Sequence, residues 1–149
     1  MKRILTISVF TISFVSAYSQ NPPVQPPPPT PVEEVFQKVE EMPRFPGCEN
    51  QSEKKRKTCA DKLMLSFMFK NIRYPKEASR DSTEGTVVAQ FIVEKDGTLT
   101  EKKIVRKVGS GCDEEVIRVI DMMPLWEPGR QSGKPVRVRY TLPVKFKLN

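Results

Sequence analysis

The clearest pattern of hydrophobic and polar positions lies at the end of the chain. From Val136 to Leu148, apolar residues alternate with polar residues or proline, which predicts a β-strand with one buried face. A second strand is predicted from Thr86 to Val93, and because both of its faces are largely apolar it should be central. Asp96-Gly97 is a strong hairpin signal, so residues 99–108 are expected to return as the antiparallel partner, with a bulge near Lys102.

Three segments have the spacing of amphipathic helices. The first runs from Val32 to Met42 and stops at a proline,. The second begins at Thr58, which can cap it, and must end before Pro75. The third opens at Asp113, where acidic side chains favour the helix dipole, and is stopped by Pro124. Helices and strands in this order predict an α+β fold, with helices packed on an antiparallel sheet.

Two prolines remove hydrogen-bond donors from the last predicted strand. Pro135 and Pro143 are separated by an even number of residues, so their missing N–H groups point to the same lateral side. We expect that side to be an open or bulged edge. Such an edge can bind an extended peptide through main-chain hydrogen bonds and needs no catalytic residue. The basic residues of this strand also have a simpler interpretation, as guards against aggregation.

The beginning of the chain differs in composition from the rest. Residues 1–19 have the order of a secretory leader: two basic residues, a short apolar run, then small residues,. Cleavage before Gln20 is expected, and an uncleaved membrane anchor is the alternative, although the run is shorter than the roughly 20 residues of a spanning helix. Residues 20–31 form a proline-rich spacer. The remainder divides into a helical or loop extension, 32–58, and a domain, 59–149.

Composition argues against several classes of function. The formal charge is +7 and there is no histidine, which removes Ser-His and Cys-His catalytic pairs and most zinc sites. The acidic residues fall in solvated runs, and no glycine-rich phosphate loop accompanies them. We therefore expect no enzyme, no cofactor and no metal site. Nucleic-acid binding is not expected either, because the sequence lacks a recognisable basic helix or interleaved aromatic residues.

The cysteines suggest one disulfide. Cys48 and Cys59 lie close in sequence in a chain expected to reach an oxidising compartment, so we predict that they are bonded. Sequence alone does not determine the pairing of three cysteines. Cys112 is left over, and two interpretations stay open: a thiol with a lowered pKa at a helix start, or a buried small apolar side chain.

Several short motifs, in order, resemble the TonB C-terminal domain family, especially versions common in Bacteroidetes-type bacteria. The resemblance covers about Leu63 to Leu148, and Phe45-Pro46-Gly47-Cys48 with Cys59 is also similar to that subgroup. The motifs are Asn71-x-x-Tyr74-Pro75, Glu84-Gly85-Thr86-Val87-Val88, Asp96-Gly97, Cys112-Asp113-Glu114-Glu115, Met123-Pro124-Leu125-Trp126-x-Pro128-Gly129, Gly133-Lys134-Pro135-Val136 and Tyr140-Thr141-Leu142-Pro143-Val144.

The resemblance implies two helices packed on a three-stranded antiparallel sheet. It also implies a periplasmic domain that pairs its last strand with the TonB-box peptide of an outer-membrane receptor in energy-dependent transport. A proton-driven motor in the inner membrane would supply the energy. By resemblance, the partner-binding residues are expected to be Asn71, Tyr74, Pro75, Val136, Arg137, Val138, Arg139, Tyr140 and Thr141.

Two other functions stay open. A stand-alone periplasmic adaptor would use the same edge for another protein or for a homodimer, without transmitting energy. A binder of anionic surfaces would use the basic residues of the last strand, Arg137, Arg139, Lys145 and Lys147. The expected location is the periplasm, or the inner membrane facing the periplasm if the leader is retained.

Overall fold

The structure, a computed structural model, describes residues 33–148, so the predicted leader and spacer lie outside the described residues. The elements, in chain order, are β1 (Val35–Phe36), α1 (Glu53–Asn71), α2 (Lys76–Arg80), β2 (Gly85–Val93), β3 (Leu99–Arg106), α3 (Cys112–Asp121), β4 (Gly129–Gln131) and β5 (Lys134–Phe146). The α+β fold predicted from the sequence is confirmed.

The sheet is built on three long antiparallel strands, as expected. The strand order is β1-β5-β2-β3, with β4 paired to β5. β2 pairs with β5 without a register shift, from Gly85 opposite Phe146 to Val93 opposite Val138. Its pairing with β3 is interrupted, and Glu101 has a φ of 46° there, so the predicted bulge is present. Two short strands that the sequence did not indicate, β1 and β4, extend the sheet.

One face of the sheet carries the core. Alternate residues of β2 and β5 point towards the helices, as the period of a strand requires. Apolar residues of α3, spaced three and four apart, cover them, and α1 contributes two buried methionines. The buried residues of this layer are Met64, Met68, Val87, Ala89, Phe91, Val93, Val116, Val119, Ile120, Leu142, Val144 and Phe146.

The segment 33–48, which we call the strap, crosses the domain without forming a helix. The helix predicted from Val32 to Met42 is wrong over its described residues. Val35 and Phe36 instead pair in parallel with β5. Because the edge of β5 satisfies their main-chain groups, this segment has no need of the internal hydrogen bonds of a helix.

The rest of the strap is held by further main-chain bonds and by buried side chains. Glu41 exchanges hydrogen bonds with Arg130, and Arg44 does so with Glu127. Val39, Phe45 and Cys48 are buried beneath it. The apolar spacing that suggested a helix therefore reflects burial of an irregular segment against the sheet.

Helices α1 and α2 also differ from the sequence analysis. α1 begins at Glu53 rather than at Thr58, and α2 was not predicted. From the sequence, Pro75 is expected to stop the preceding helix and, by the family resemblance, to contact a partner. In the structure Pro75 is the extended N-cap residue of α2, so the same proline ends one helix and precedes another. The described part of the chain therefore has three helices instead of two.

The lone tryptophan anchors the strap to the sheet. Trp126 is 3% exposed. Its ring lies 5.9 Å from that of Phe45, 5.5 Å from that of Phe91 and 4.9 Å from that of Tyr140. These rings belong to the strap, β2 and β5.

Removing the Trp126 side chain should be costly because it joins three parts of the domain. We expect Trp126→Ala to lower the free energy of unfolding by about 3–5 kcal/mol, measured by urea denaturation. Leu125→Ala is the matched control, since Leu125 is 61% exposed and should shift the unfolding midpoint little. A Trp126→Ala protein as stable as the control would show that this aromatic cluster does not hold the strap.

The strap ends in a disulfide to α1. Cys48 and Cys59 are bonded, with Cα atoms 6.0 Å apart. The remaining cysteine, Cys112, is buried, and burial raises the pKa of its thiol. Of the two interpretations left open for it, the buried apolar side chain agrees with the structure.

The disulfide should stabilise the domain chiefly by restricting the unfolded chain. The double substitution Cys48→Ser, Cys59→Ser is expected to lower the free energy of unfolding by about 2–3 kcal/mol. A reductant should destabilise the wild-type protein by a similar amount and leave the double variant unchanged. Equal unfolding midpoints for the oxidised wild type and the double variant would contradict this.

Candidate functional site

Strand β5 is paired on both sides only at its beginning. β2 lies along one side from Val138 to Phe146. β1 lies against Arg137 and Val138, and β4 pairs with Lys134 to Val136. From Arg139 to Phe146, no described strand pairs with the side of β5 opposite β2. We call these residues, 139–146, the open edge.

The hydrogen bonds of the neighbouring hairpin identify which groups of the open edge are free. Glu94 donates its main-chain N–H to Thr98 across the β2–β3 turn, so Glu94 faces β3. Neighbouring residues of a strand face opposite sides, so Val93 and every second residue before it face β5. Their partners in β5 are the even-numbered residues.

The odd-numbered residues of the open edge therefore face outwards. They are Arg139, Thr141, Pro143 and Lys145. Each offers a carbonyl oxygen, and Thr141 and Lys145 also offer an N–H donor. Pro143 has no N–H. The N–H of Arg139 faces the carbonyl of Phe36, because the parallel pairing of Phe36 with Val138 bonds Phe36 to the neighbours of Val138,. The missing donor of Pro143 thus falls on the open side, as its parity in the sequence predicted. Eight residues in extended conformation are about 26 Å long, which is enough for a short peptide strand.

An apolar groove of about 220 Å³ runs beside this edge. Leu142, Pro143, Val144 and Lys145 form its β5 wall, and the end of α1 forms the other. The wall from α1 consists of Leu65, Met68, Phe69 and Ile72. Phe69 is 79% exposed and Leu65 is 50% exposed. A strand added to β5 would place every second side chain over this groove.

The predicted partner-binding residues 136–141 of β5 fall into two groups in the structure, some paired within the chain and some on the open edge. Val136 is paired with Gly129 of β4, and Arg137 and Val138 are paired with β1. Arg139 and Thr141 lie on the open edge with their main-chain groups facing outwards. Tyr140 is also in this range, but its ring packs on Phe91 and Trp126, and burial raises the pKa of its hydroxyl.

The three predicted residues after α1 hold local structure together. The side-chain amide of Asn71 donates to the main-chain carbonyl of Phe67, and the main-chain carbonyl of Asn71 accepts a bond from the guanidinium of Arg118 in α3. The Tyr74 hydroxyl donates to the carbonyl of Thr83 at 2.6 Å. Its ring meets that of Phe146 edge-on at 5.7 Å.

Tyr74 therefore fixes the far end of β5, and Pro75 precedes α2. None of Asn71, Tyr74 and Pro75 lines the groove.

Both arginines of β5 form ion pairs with carboxylates. The guanidinium of Arg137 binds both oxygens of Glu94, at 2.8 and 2.9 Å, and lies 3.4 Å from Glu101. Arg139 lies 3.9 Å from Glu101. This pairing weakens the interpretation of this face as a binder of anionic surfaces, because two of its four cations are already neutralised.

Sequence reasoning missed Leu65 and Phe69. The helical spacing of Cys59, Leu63 and Phe67, with Met64 and Met68 beside them, predicts the core-facing stripe of this helix and leaves Leu65 and Phe69 unassigned,. The available signal was an apolar pair four residues apart, outside that stripe, on an otherwise polar helix face.

A family model described as "Gram-negative bacterial TonB protein C-terminal" matches residues 70–148, slightly more than half of the chain. The chain belongs to this family. The TonB C-terminal family is non-enzymatic, takes part in TonB-dependent transport and generally interacts with outer-membrane receptors. The strap and α1 up to Phe69 precede the matched region.

Two solution structures of the Helicobacter pylori TonB C-terminal domain are similar to this chain. The one of residues 179–285 is 23% identical, covers 60% of this chain and 79% of its own, and has a TM-score of 0.45. The one of residues 194–285 is 19% identical, covers 58% and 90%, and has a TM-score of 0.41. The comparison with curated proteins found no match.

Over residues 33–148, the TonB-like chain has no helix long and apolar enough to span a membrane.

The Arg137–Glu94 pair predicts a pH dependence of stability. Hydrogen bonds from Arg137 hold the pKa of Glu94 below its ordinary value of 4.5. A carboxyl group with a lowered pKa stabilises the fold above its unfolded pKa, and this contribution is lost as the pH falls through the folded pKa. Glu94→Gln should therefore be less stable than wild type at pH 7, and the difference should shrink below about pH 4.

Urea denaturation of both proteins across this pH range measures the effect. Glu114→Gln is the control, because no ion pair of Glu114 occurs among the described residues. A gap between wild type and Glu94→Gln that stays constant down to pH 3 would contradict the proposed contribution of the pair.

Proposed function

We propose that this domain binds the TonB-box peptides of TonB-dependent outer-membrane receptors by adding them as a strand to the open edge of β5. The observation that carries the proposal is the run from Arg139 to Phe146, in a chain of the TonB C-terminal family: no strand among residues 33–148 pairs with its side opposite β2. An exposed strand edge offers main-chain donors and acceptors in the spacing that an extended peptide requires.

The pairing within the chain supports a particular position for the peptide in this proposal. β1 already occupies Arg137 and Val138, so the incoming strand begins at Arg139 and extends towards Lys145. This moves the proposed site several residues towards the C-terminus from the stretch 136–141. The peptide loses one hydrogen bond at Pro143, and the groove beside it offers apolar contact at the same level.

In this function the domain works in the periplasm, and an inner-membrane, proton-driven motor supplies energy for transport. The alternative is a stand-alone periplasmic adaptor that uses the same open edge for another protein or for a homodimer. The edge and groove suit either role, since neither needs force for binding. Fractionation of the native host separates them: inner-membrane retention supports the transducer, and release with the soluble periplasm supports the adaptor.

Removing one outward donor tests the pairing itself. We expect Thr141→Pro to weaken binding of a receptor-derived TonB-box peptide by about tenfold or more, because an outward N–H is lost. The fold should persist, since Pro143 shows that β5 accepts proline at an odd-numbered position, where the main-chain groups face outwards. Thr141→Ala is the matched control, because it keeps the donor while losing the same side-chain contact with Gln90.

Amide chemical shifts during a solution NMR titration report both the affinity and the place of binding. Binding should perturb residues 139–145 and leave the β2–β3 turn unchanged. A Thr141→Pro protein that folds and binds like Thr141→Ala would show that the peptide does not pair with this edge.

A further inference from the structure

The groove beside the open edge is only partly a product of the matched family region. That region begins at residue 70, whereas Leu65, Met68 and Phe69 of the groove belong to α1 before that point. A domain limited to residues 70–148 would keep the edge of β5 and lose most of the opposite wall. Helix α1 therefore adds a surface to the edge rather than only stabilising the fold.

We propose that α1 makes this groove a side-chain docking site, which selects extended peptides with aliphatic side chains at two alternate positions. The inference rests on the proposed function, since strand pairing at the open edge is what brings those side chains over the groove. The occupant is a short extended segment of another protein. Its extended conformation follows from the open edge beside the groove, because a row of free main-chain donors and acceptors is complementary to a strand and not to a helix.

The geometry of the two walls supports an alternating pattern. Leu142 and Val144 are buried on the helix-facing side of β5, so alternate side chains of an added strand would also point to that side. Such side chains recur about every 6.6 Å along a strand. Leu65 and Phe69, four residues apart on α1, are about 6 Å apart along the helix axis. Two aliphatic groups of the peptide can therefore each meet one of them.

Exposure and charge further restrict the occupant. Phe69 and Leu65 contribute little to the core, and such large exposed apolar side chains beside a free edge are typical of an interaction site. Lys145 is the only charged residue among those lining the groove. A lysine or arginine on the facing positions of the peptide would lose its water in an apolar groove without a carboxylate partner. Aliphatic side chains avoid this cost.

Two capped nine-residue synthetic peptides test the selection with the full chain. One has a Thr-Val-Thr-Val-Thr centre, and the other replaces both valines with serine. We expect the wild-type protein to bind the valine peptide about tenfold more tightly, in NMR titrations. The double variant Leu65→Ser, Phe69→Ser should lose this preference while retaining the weaker binding.

A control variant tests whether the groove selects the side chains, and a control peptide tests whether the peptide pairs as a strand. Leu125→Ser changes an apolar side chain that is 61% exposed and lies away from the groove, so its preference should equal that of wild type. A valine peptide that is N-methylated at its central amides cannot pair as a strand. It should not bind any of the proteins.

The possible outcomes point to different errors. If the groove variant prefers valine as strongly as wild type while N-methylation abolishes binding, strand pairing stands and the groove inference is wrong. If N-methylation has no effect, the proposed strand pairing is wrong even where Leu65 and Phe69 matter. A wild-type dimer that the groove variant converts to monomers, in sedimentation experiments, would show that a second copy of the chain fills the groove and would overturn the peptide assignment.

Discussion

The antiparallel pairing of β2 with β5 is the interaction on which the rest of this domain depends. Its uninterrupted register, from Gly85 opposite Phe146 to Val93 opposite Val138, sends one set of side chains into the core under α1 and α3. The same register sends the odd-numbered main-chain groups of β5 to the opposite side. The core and the open edge are therefore consequences of one ladder, and neither can be moved without the other.

The N-terminal extension determines how much of that edge is available. β1 fills it at Arg137 and Val138, and the strap then turns away to meet β4 and Trp126. The disulfide fixes the end of the strap to α1. An exposed edge is also a risk, because it can pair with unrelated chains. In this domain β1 shortens the edge and Pro143 removes one of its donors, so both features limit promiscuous pairing,.

Much of this architecture could be predicted from local patterns. The alternation in β5, the Asp96-Gly97 turn and the acidic start of α3 each depend on neighbours in sequence, and each gave a correct element. The parity of Pro135 and Pro143 also indicated the open side. The helix prediction for the strap failed because Val35 and Phe36 pair with β5, about a hundred residues away in sequence. Helical spacing cannot reveal such pairing.

The site was harder to predict for the same reason. The resemblance placed strand binding at residues 136–141, since nothing local shows that β1 covers the first part of this stretch. The carboxylate partners of Arg137 lie at positions 94 and 101, so the pairing of this basic residue was hidden as well. Leu65 and Phe69 carried a visible signal, but their role depends on the position of α1 beside β5. That position is a property of the packed domain.

Amide hydrogen exchange along β5 tests most directly whether the open edge is the binding surface. In the free protein, the outward N–H groups of Thr141 and Lys145 should exchange rapidly, while those of Val138, Tyr140, Leu142 and Val144 should be protected by β2. A bound TonB-box peptide should slow exchange at one or both of these outward positions and change the others little. If these two amides are already protected in the free protein, or stay unprotected when the peptide is bound, the edge is not available for strand addition and the account is wrong.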